Sequence, residues 1–243
     1  LAAVGRLAAG IAHEIRNPLA SLSGSLQILQ DEEYFNDTNQ RLLDIALREA
    51  NRLNDTITEF LTYARPQQPE LQPFDLNVLV KETFELLRNS PQYRPNISLT
   101  ITCAPQPVMA LVDVHQFKQV LWNLCLNALQ SIEADGSLRV GTETARPAPG
   151  RIPGAPEGND YVCLAVEDSG VGIPRDLQQQ IFEPFFTTKR GGSGLGLAAV
   201  HRIIEGHGGS LQLESEPGRG SRFRILLPAV SQGAAASVAG RPT

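Results

Sequence analysis

The sequence predicts a chain of two parts, an α-helical hairpin followed by an α+β sandwich with helices over one face of a mixed sheet. Three observations predict it. Apolar residues recur at helical spacing as far as about residue 64. A Pro- and Gln-rich stretch, RPQQPELQP, follows. Beyond it, short alternating strands interleave with helices. The domain organisation expected is 1–65 helical hairpin, 66–73 linker, 74–230 α+β domain and 231–243 frayed tail.

The elements follow in order. Leu7, Ile11, Ile15, Leu22, Leu26 and Leu29 set a first helix, over about 7–30. Pro18 lies inside it, removes a backbone donor and predicts a kink just after His13. DEEYFN at 31–36 breaks the pattern. A second helix runs to Ala64 on Leu42, Ile45, Ala46, Leu53, Ile57 and Phe60. A lone hairpin leaves much of two apolar stripes exposed, so a homodimer closing a four-helix bundle is expected. After the linker, Asp75 is placed to cap a helix over 75–87, and ISLTITC alternates as a strand. Asp113 and Gln116 fit a capping box opening a helix to Ile132. Leu138–Thr144 and Tyr161–Asp168 read as strands around a long Pro-, Gly- and Ala-rich loop. A helix over 197–205 and strands over 211–215 and 222–227 close the domain.

Composition narrows the function. A net charge of −5 gives no basic excess for nucleic acid. No stretch approaches the ~20 apolar residues of a membrane span. Cys103, Cys125 and Cys163 have no metal-ligand spacing and read as reduced, mostly buried thiols. The opening residues lack a Met and fall in mid-helix, which is expected of a piece of a longer protein.

Five segments carry chemistry. In HEIRNP, His13 falls between the core positions Ile11 and Ile15 and so faces solvent, where an unprotonated ring nitrogen is a nucleophile. Glu14 can accept from the other ring nitrogen; taken alone, such a pair is equally a solvated surface pair. In NLCLNA, Asn123 and Asn127 share one helical face. Amides there need partners, either across to another helix or as oxygen donors to a hard cation such as Mg²⁺. In EDSGVGIP, Asp168 closes an apolar strand and is suited to accept from a ligand amino group, while Gly170 and Gly172 let backbone approach a flat base. The same letters also make a plain β-turn. In GSGLGLA, Gly192, Gly194, Leu195 and Gly196 run into a helix whose N–H groups attract phosphate. No strand precedes it, which counts against a dinucleotide fold, and no Lys-Ser/Thr ending makes it a P-loop. Between these two, IFEPFFTTK holds three of the nine phenylalanines and offers Lys189 to a terminal phosphate.

Together these segments resemble the sensor histidine kinases of two-component systems. HEIRNP is similar to the family's phospho-acceptor box, NLCLNA to its asparagine box, EDSGVGIP and GSGLGLA to its glycine boxes, and FEPFFTTK to the phenylalanine box between them, all in the family's order. HEIRNPLA most resembles nitrogen-sensing and pilus-type members. The resemblance runs from about Leu1 to Pro228. It implies a dimerisation and phosphotransfer hairpin, then an ATP-binding sandwich of the gyrase, Hsp90 and histidine kinase type. It implies that His13 takes the γ-phosphate of ATP with Glu14 as its base or hydrogen-bond acceptor, and passes it to an Asp of a response regulator receiver domain. Asn127 would hold Mg²⁺ with Asn123, Asp168 would read adenine, and Ser221 in GRGS would lie near the adenine pocket. Asn17 sits where an amide or hydroxyl orients water for partner dephosphorylation. A cytoplasmic location is implied, with any inner-membrane anchor upstream. One departure is Ala128-Leu129-Gln130-Ser131, where the family often has a basic residue.

Two other functions compete. An ATP hydrolase of the same superfamily places a Glu one turn before the Mg²⁺-binding Asn; here that residue is Asn123, and an amide is no general base. A non-catalytic dimeric scaffold would be expected to carry degraded motifs, and these are intact. His115, His201 and His207 read as structural residues, with HGG at His207 a turn.

Overall fold

The computed structural model describes residues 19, 20, 22, 24, 26, 41, 43–50, 53, 57, 68–145, 160–189 and 192–230. The kink expected at Pro18, the break at 31–36, the loop over 146–159 and the tail over 231–243 lie outside these residues. The chain divides into two units, Leu1–Gln67 with Lys189–Leu195, and Gln68–Thr188 with Gly196–Thr243.

In the first unit the described residues from Leu19 to Ile57 are helical. Leu43 and Ala50, one heptad apart, are buried, whereas Leu22, Ile45 and Leu53 are about half exposed at 53%, 48% and 48%.

The second unit runs β1 (Gln72–Asp75), α1 (Leu76–Arg88), β2 (Ile97–Thr102), β3 (Met109–Val112), α2 (Val114–Ser131), β4 (Gly136–Ala145), β5 (Tyr161–Asp168), α3 (Gly196–Gly206), β6 (Ser210–Glu216) and β7 (Gly220–Pro228). Five strands form one sheet in the order β2-β4-β5-β7-β6. Only β2 and β4 pair in parallel, so the sheet is mixed. β1 and β3 form a separate antiparallel ribbon. The stretch expected to be linker therefore ends in a strand, and Gln72 and Pro73 pair with Val112 and Leu111.

Period-two alternation decides which face of the sheet is covered. Val162, Leu164 and Val166 of β5, with Phe223, Ile225 and Leu227 of β7, join Leu121, Leu124 and Ala128 of α2 in the main core. The opposite face has a small cluster of Tyr161, Cys163 and Leu226 beside the ion pairs Arg224–Glu143 (3.1 Å) and Arg139–Glu167 (3.5 Å).

Helix ends are set by named groups. Asp75 caps α1, its Oδ1 accepting from Asn77 N–H at 3.0 Å. Asp113 caps α2, accepting from His115 and Gln116 N–H at 3.0 and 3.1 Å. At the far end of α2, the Arg94 guanidinium donates to the carbonyls of Leu129 (3.1 Å), Ile132 and Glu133 (3.3 Å). It satisfies acceptors that a helix C-terminus leaves orphaned and complements its partial negative charge.

Candidate nucleotide-binding site

His13, Glu14 and Asn17 lie outside the described residues. The second unit brings together Asn123, Asn127, Asp168, Gly170, Gly172, Gly196 and Ser221. α2 supplies the amides at the expected spacing, both half-buried. Asn123 Nδ2 donates to the Gly196 carbonyl at 3.3 Å, joining α2 to the first turn of α3.

Asp168 ends β5 and is 7% exposed. Its Oδ1 accepts from Gly170 N–H at 2.8 Å and from the Ser131 hydroxyl at 3.0 Å. Two donors on one oxygen restrain the orientation of this buried carboxylate.

The loop after Asp168 is fastened on three sides. Ser169 N–H donates to Ser137 O (3.1 Å) and Val171 N–H to Ser131 O (3.1 Å). Ile173 N–H donates to Ser215 Oγ (2.8 Å), and Gly218 N–H returns to Val171 O (2.7 Å). Gln178 Nε2 donates to both Ile173 O and Ser215 O at 3.0 Å. Ser221, opposite Asp168 in the β5–β7 register, is buried and lies 3.0 Å from Ser215 Oγ.

The glycines serve this packing. A Cβ at Gly170 would run into the Ser131 hydroxyl and carbonyl. At Gly172, with φ +71°, it would strike the backbone carbonyl of Glu216. At Gly220, with φ +86°, it would strike the carbonyl of Asp168 itself. Gly170 and Gly172 thus draw the loop onto α2 and the β6–β7 turn, and through that contact fix the walls around Asp168.

Sequence reading missed Ser131, Ser215 and Gln178 as parts of this arrangement. For Ser131 a signal was present, since it continues the four-residue spacing of Asn123 and Asn127 on the same helical face. His207 also does more than turn the chain. It is 7% exposed, and its Nε2 accepts from Asp113 N–H at 3.0 Å. Its Nδ1 must then be the protonated nitrogen, donating to Ile203 O at 2.7 Å. Burial pushes its pKa down; the Ile203 bond and the Asp113 carboxylate oppose this only in part. Burial pushes the Asp113 carboxyl up, but the N–H groups of Gln116, Glu70 and His115, with His207, outweigh it and leave it below the usual range.

In the phenylalanine segment, Phe182 packs on His201 with ring centroids 5.5 Å apart. Phe185 is 59% exposed and holds a left-handed φ of +68°. Lys189, Gly192, Gly194 and Leu195 fall in the other unit. There Lys189 is exposed, Leu195 is fully buried, and Gly192 N–H donates to Lys189 O at 3.3 Å. Among the described residues no cluster of three or more His, Cys, Asp or Glu is arranged for a metal. The hard oxygen donors of the Asn face suit a Mg²⁺ ion whose remaining ligands are water and phosphate.

The chain matches two family models. One is the His Kinase A (phospho-acceptor) domain, over residues 3–69, and the other the histidine kinase-, DNA gyrase B- and HSP90-like ATPase, over residues 112–231. It is 37% identical over 234 residues to the signal transduction histidine-protein kinase AtoS of Escherichia coli, covering 96% of this chain and 36% of that one. It spans less than half the length of the AtoS and ZraS relatives it matches. Full-length ShkA in complex with AMPPNP superposes with a TM-score of 0.76 at 25% identity, over 94% of this chain and 46% of that one. The catalytic domain of histidine kinase ThkA superposes at 0.55 with 31% identity, over 65% of this chain and 95% of that one. ThkA in complex with the response regulator protein TrrA superposes at 0.64 with 28% identity, over 93% of this chain and 62% of that one.

Proposed function

The chain belongs to the sensor histidine kinases of two-component systems, and we propose that it transfers the γ-phosphate of ATP to His13 and onward to an Asp of a response regulator receiver domain. The observation that carries the ATP half of this reading is Asp168, a buried carboxylate at a strand end, held as an acceptor by Gly170 and Ser131. It suits the 6-amino group of adenine.

The residues divide the work. Asp168 anchors the base, and the loop through Gly170 and Gly172 walls the pocket beside Ser221. Asn127, with Asn123, holds Mg²⁺, which when bound neutralises phosphate charge. Lys189 reaches the terminal phosphate, and the turn through Gly192, Gly194, Leu195 and Gly196 supplies backbone N–H groups to the phosphates. His13 attacks phosphorus through one ring nitrogen while Glu14 accepts from the other. Positioning and charge neutralisation supply most of the rate. Asn17 orients water for dephosphorylating the partner. The boundaries proposed are 1–65 for phosphotransfer, 66–73 for the linker and 74–230 for ATP binding. The half-exposed Leu22, Ile45 and Leu53 support a homodimer that covers them. Asn123, in place of a general base, disfavours plain ATP hydrolysis.

The test is incubation of the chain with γ-labelled ATP and Mg²⁺, beside His13→Gln. Acid-labile, alkali-stable label on the unsubstituted chain alone is expected. Label that persists in His13→Gln, or no label while ATP still binds, refutes the assignment.

A further inference from the structure

Ser131 ends the stretch, Ala128-Leu129-Gln130-Ser131, in which the family often has a basic residue, and the structure gives it a definite task. Its hydroxyl lies 3.0 Å from Asp168 Oδ1 and 2.8 Å from the Ala128 carbonyl. One hydrogen serves both, and the charged oxygen is the stronger acceptor. If the hydrogen went to Ala128 alone, an oxygen lone pair would face the carboxylate. Three further contacts hold Ser131 in place. Arg94 ties the last turn of α2 through the carbonyls of Leu129 and Ile132. Val171 N–H is bonded to the Ser131 carbonyl at 3.1 Å. Gly170, opposite, has no room for a Cβ because Ser131 occupies that space.

We propose that Ser131 is a specificity-determining positioning residue: its hydroxyl, paired with Gly170 N–H on Asp168 Oδ1, fixes the plane of the carboxylate so that the pocket selects a purine bearing a 6-amino group. The inference rests on the reading of Asp168 as the adenine anchor. With two donors on one oxygen, the carboxylate cannot rotate about its Cβ–Cγ bond without breaking one of them. Removing the hydroxyl takes away one of the two donors on Oδ1, and the plane of the carboxylate is less closely fixed. The hydrogen bond from the 6-amino group then weakens, while contacts to the ribose, phosphates and ring face are unchanged. A purine nucleotide without that group never uses Asp168 and is indifferent to the change.

The experiment is calorimetric titration of the chain and of Ser131→Ala with Mg²⁺ and either ATP or purine riboside triphosphate, which lacks the 6-amino group. Ser131→Ala is expected to weaken ATP about tenfold and to leave the analogue within about twofold. Labelling of His13 at saturating ATP should keep its rate, so that KM rises and kcat does not. Ser131→Thr, which keeps the hydroxyl, should restore ATP binding. Alanine leaves the backbone bond to Val171 intact and favours the helix, and Trp122 fluorescence during denaturation checks folding. Equal loss of both nucleotides in Ser131→Ala makes the residue merely structural and overturns the inference. So does unchanged ATP binding. If the unsubstituted chain binds ATP no better than the analogue, the reading of Asp168 fails first, separately from the role of Ser131.

Discussion

Replacing His207 with Phe tests the hydrogen-bonded link between α3 and α2. The ring is kept, and with it the edge contact to Phe117 at 4.8 Å between centroids. Both nitrogens go. The Ile203 carbonyl keeps a partner in the His207 backbone N–H at 3.1 Å, so the only group orphaned is Asp113 N–H. Leaving a buried donor unpaired costs about 1–3 kcal/mol, and this one is only partly buried, so about 1–2 kcal/mol is expected at pH 7.5. The pH dependence sharpens the test. Burial depresses the pKa of His207 in the folded chain, so the unfolded chain binds its proton first as pH falls. The stabilisation is therefore complete above about pH 6.5, the ordinary histidine value, and is lost below it as pH falls towards the depressed value. The loss runs at up to about 1.4 kcal/mol per pH unit. Asp113, held low, titrates further into acid and does not enter this window. Urea denaturation followed by Trp122, the one tryptophan and a residue of α2, reads the second unit alone. The gap between the two chains should be about 1–2 kcal/mol at pH 7.5 and should narrow at pH 5.5. A gap that is absent at pH 7.5, or identical at both pH values, refutes the reasoning.

Two further predictions use the same reporter or a thiol reagent. Gly172→Ala and Gly218→Ala both force a left-handed residue, at φ +71° and +78°, which costs about 1–2 kcal/mol each. Only at Gly172 does the new Cβ meet backbone, at Glu216, so Gly172→Ala should lose about 1–3 kcal/mol more, measured as a shift in urea midpoint; equal losses would remove the packing argument. Burial pushes the Cys125 thiol up to about 12, and Cys163 is buried and raised as well. In native buffer near neutral pH a disulfide reagent should therefore label only the half-exposed Cys103 within minutes, with the other two reacting on unfolding; rapid labelling of three thiols contradicts this.

Legibility from sequence followed the range of the interactions. β5 was readable to the residue because an apolar run bounded by turn residues is a local signal. The ends of α2 were readable in part. Asp113 caps as expected, but the other half of a capping box, where residue 116 would bond back to Asp113 N–H, is taken by His207 from 94 residues away. No local pattern encodes that. β1 and β3 went unread because each has four residues, β1 contains Pro73, and each is completed only by the other. The parallel pairing of β2 with β4 is a fact of topology that alternation in ISLTIT cannot carry. In the site, Asp168 and the two asparagines stood out because polar residues in apolar surroundings demand partners. Ser131 did not, since a serine at a helix end has ordinary local uses.

The tether at the start of α2 bears on how strain travels through the second unit. Glu70 N–H, within the proposed linker 66–73, is bonded to Asp113 Oδ2 at 3.1 Å. Asp113 caps an 18-residue helix, a rod of about 27 Å, and Ser131 ends it beside Asp168. A pull on the chain at Glu70 is thus applied at one tip of the rod, while the carboxylate proposed to bind the base sits beside the other tip. Amide exchange would read the two tips separately: loosening at His115 and Gln116 that leaves Val171 protected means the rod gave way at its capped end, and loosening of all three means it moved as one piece.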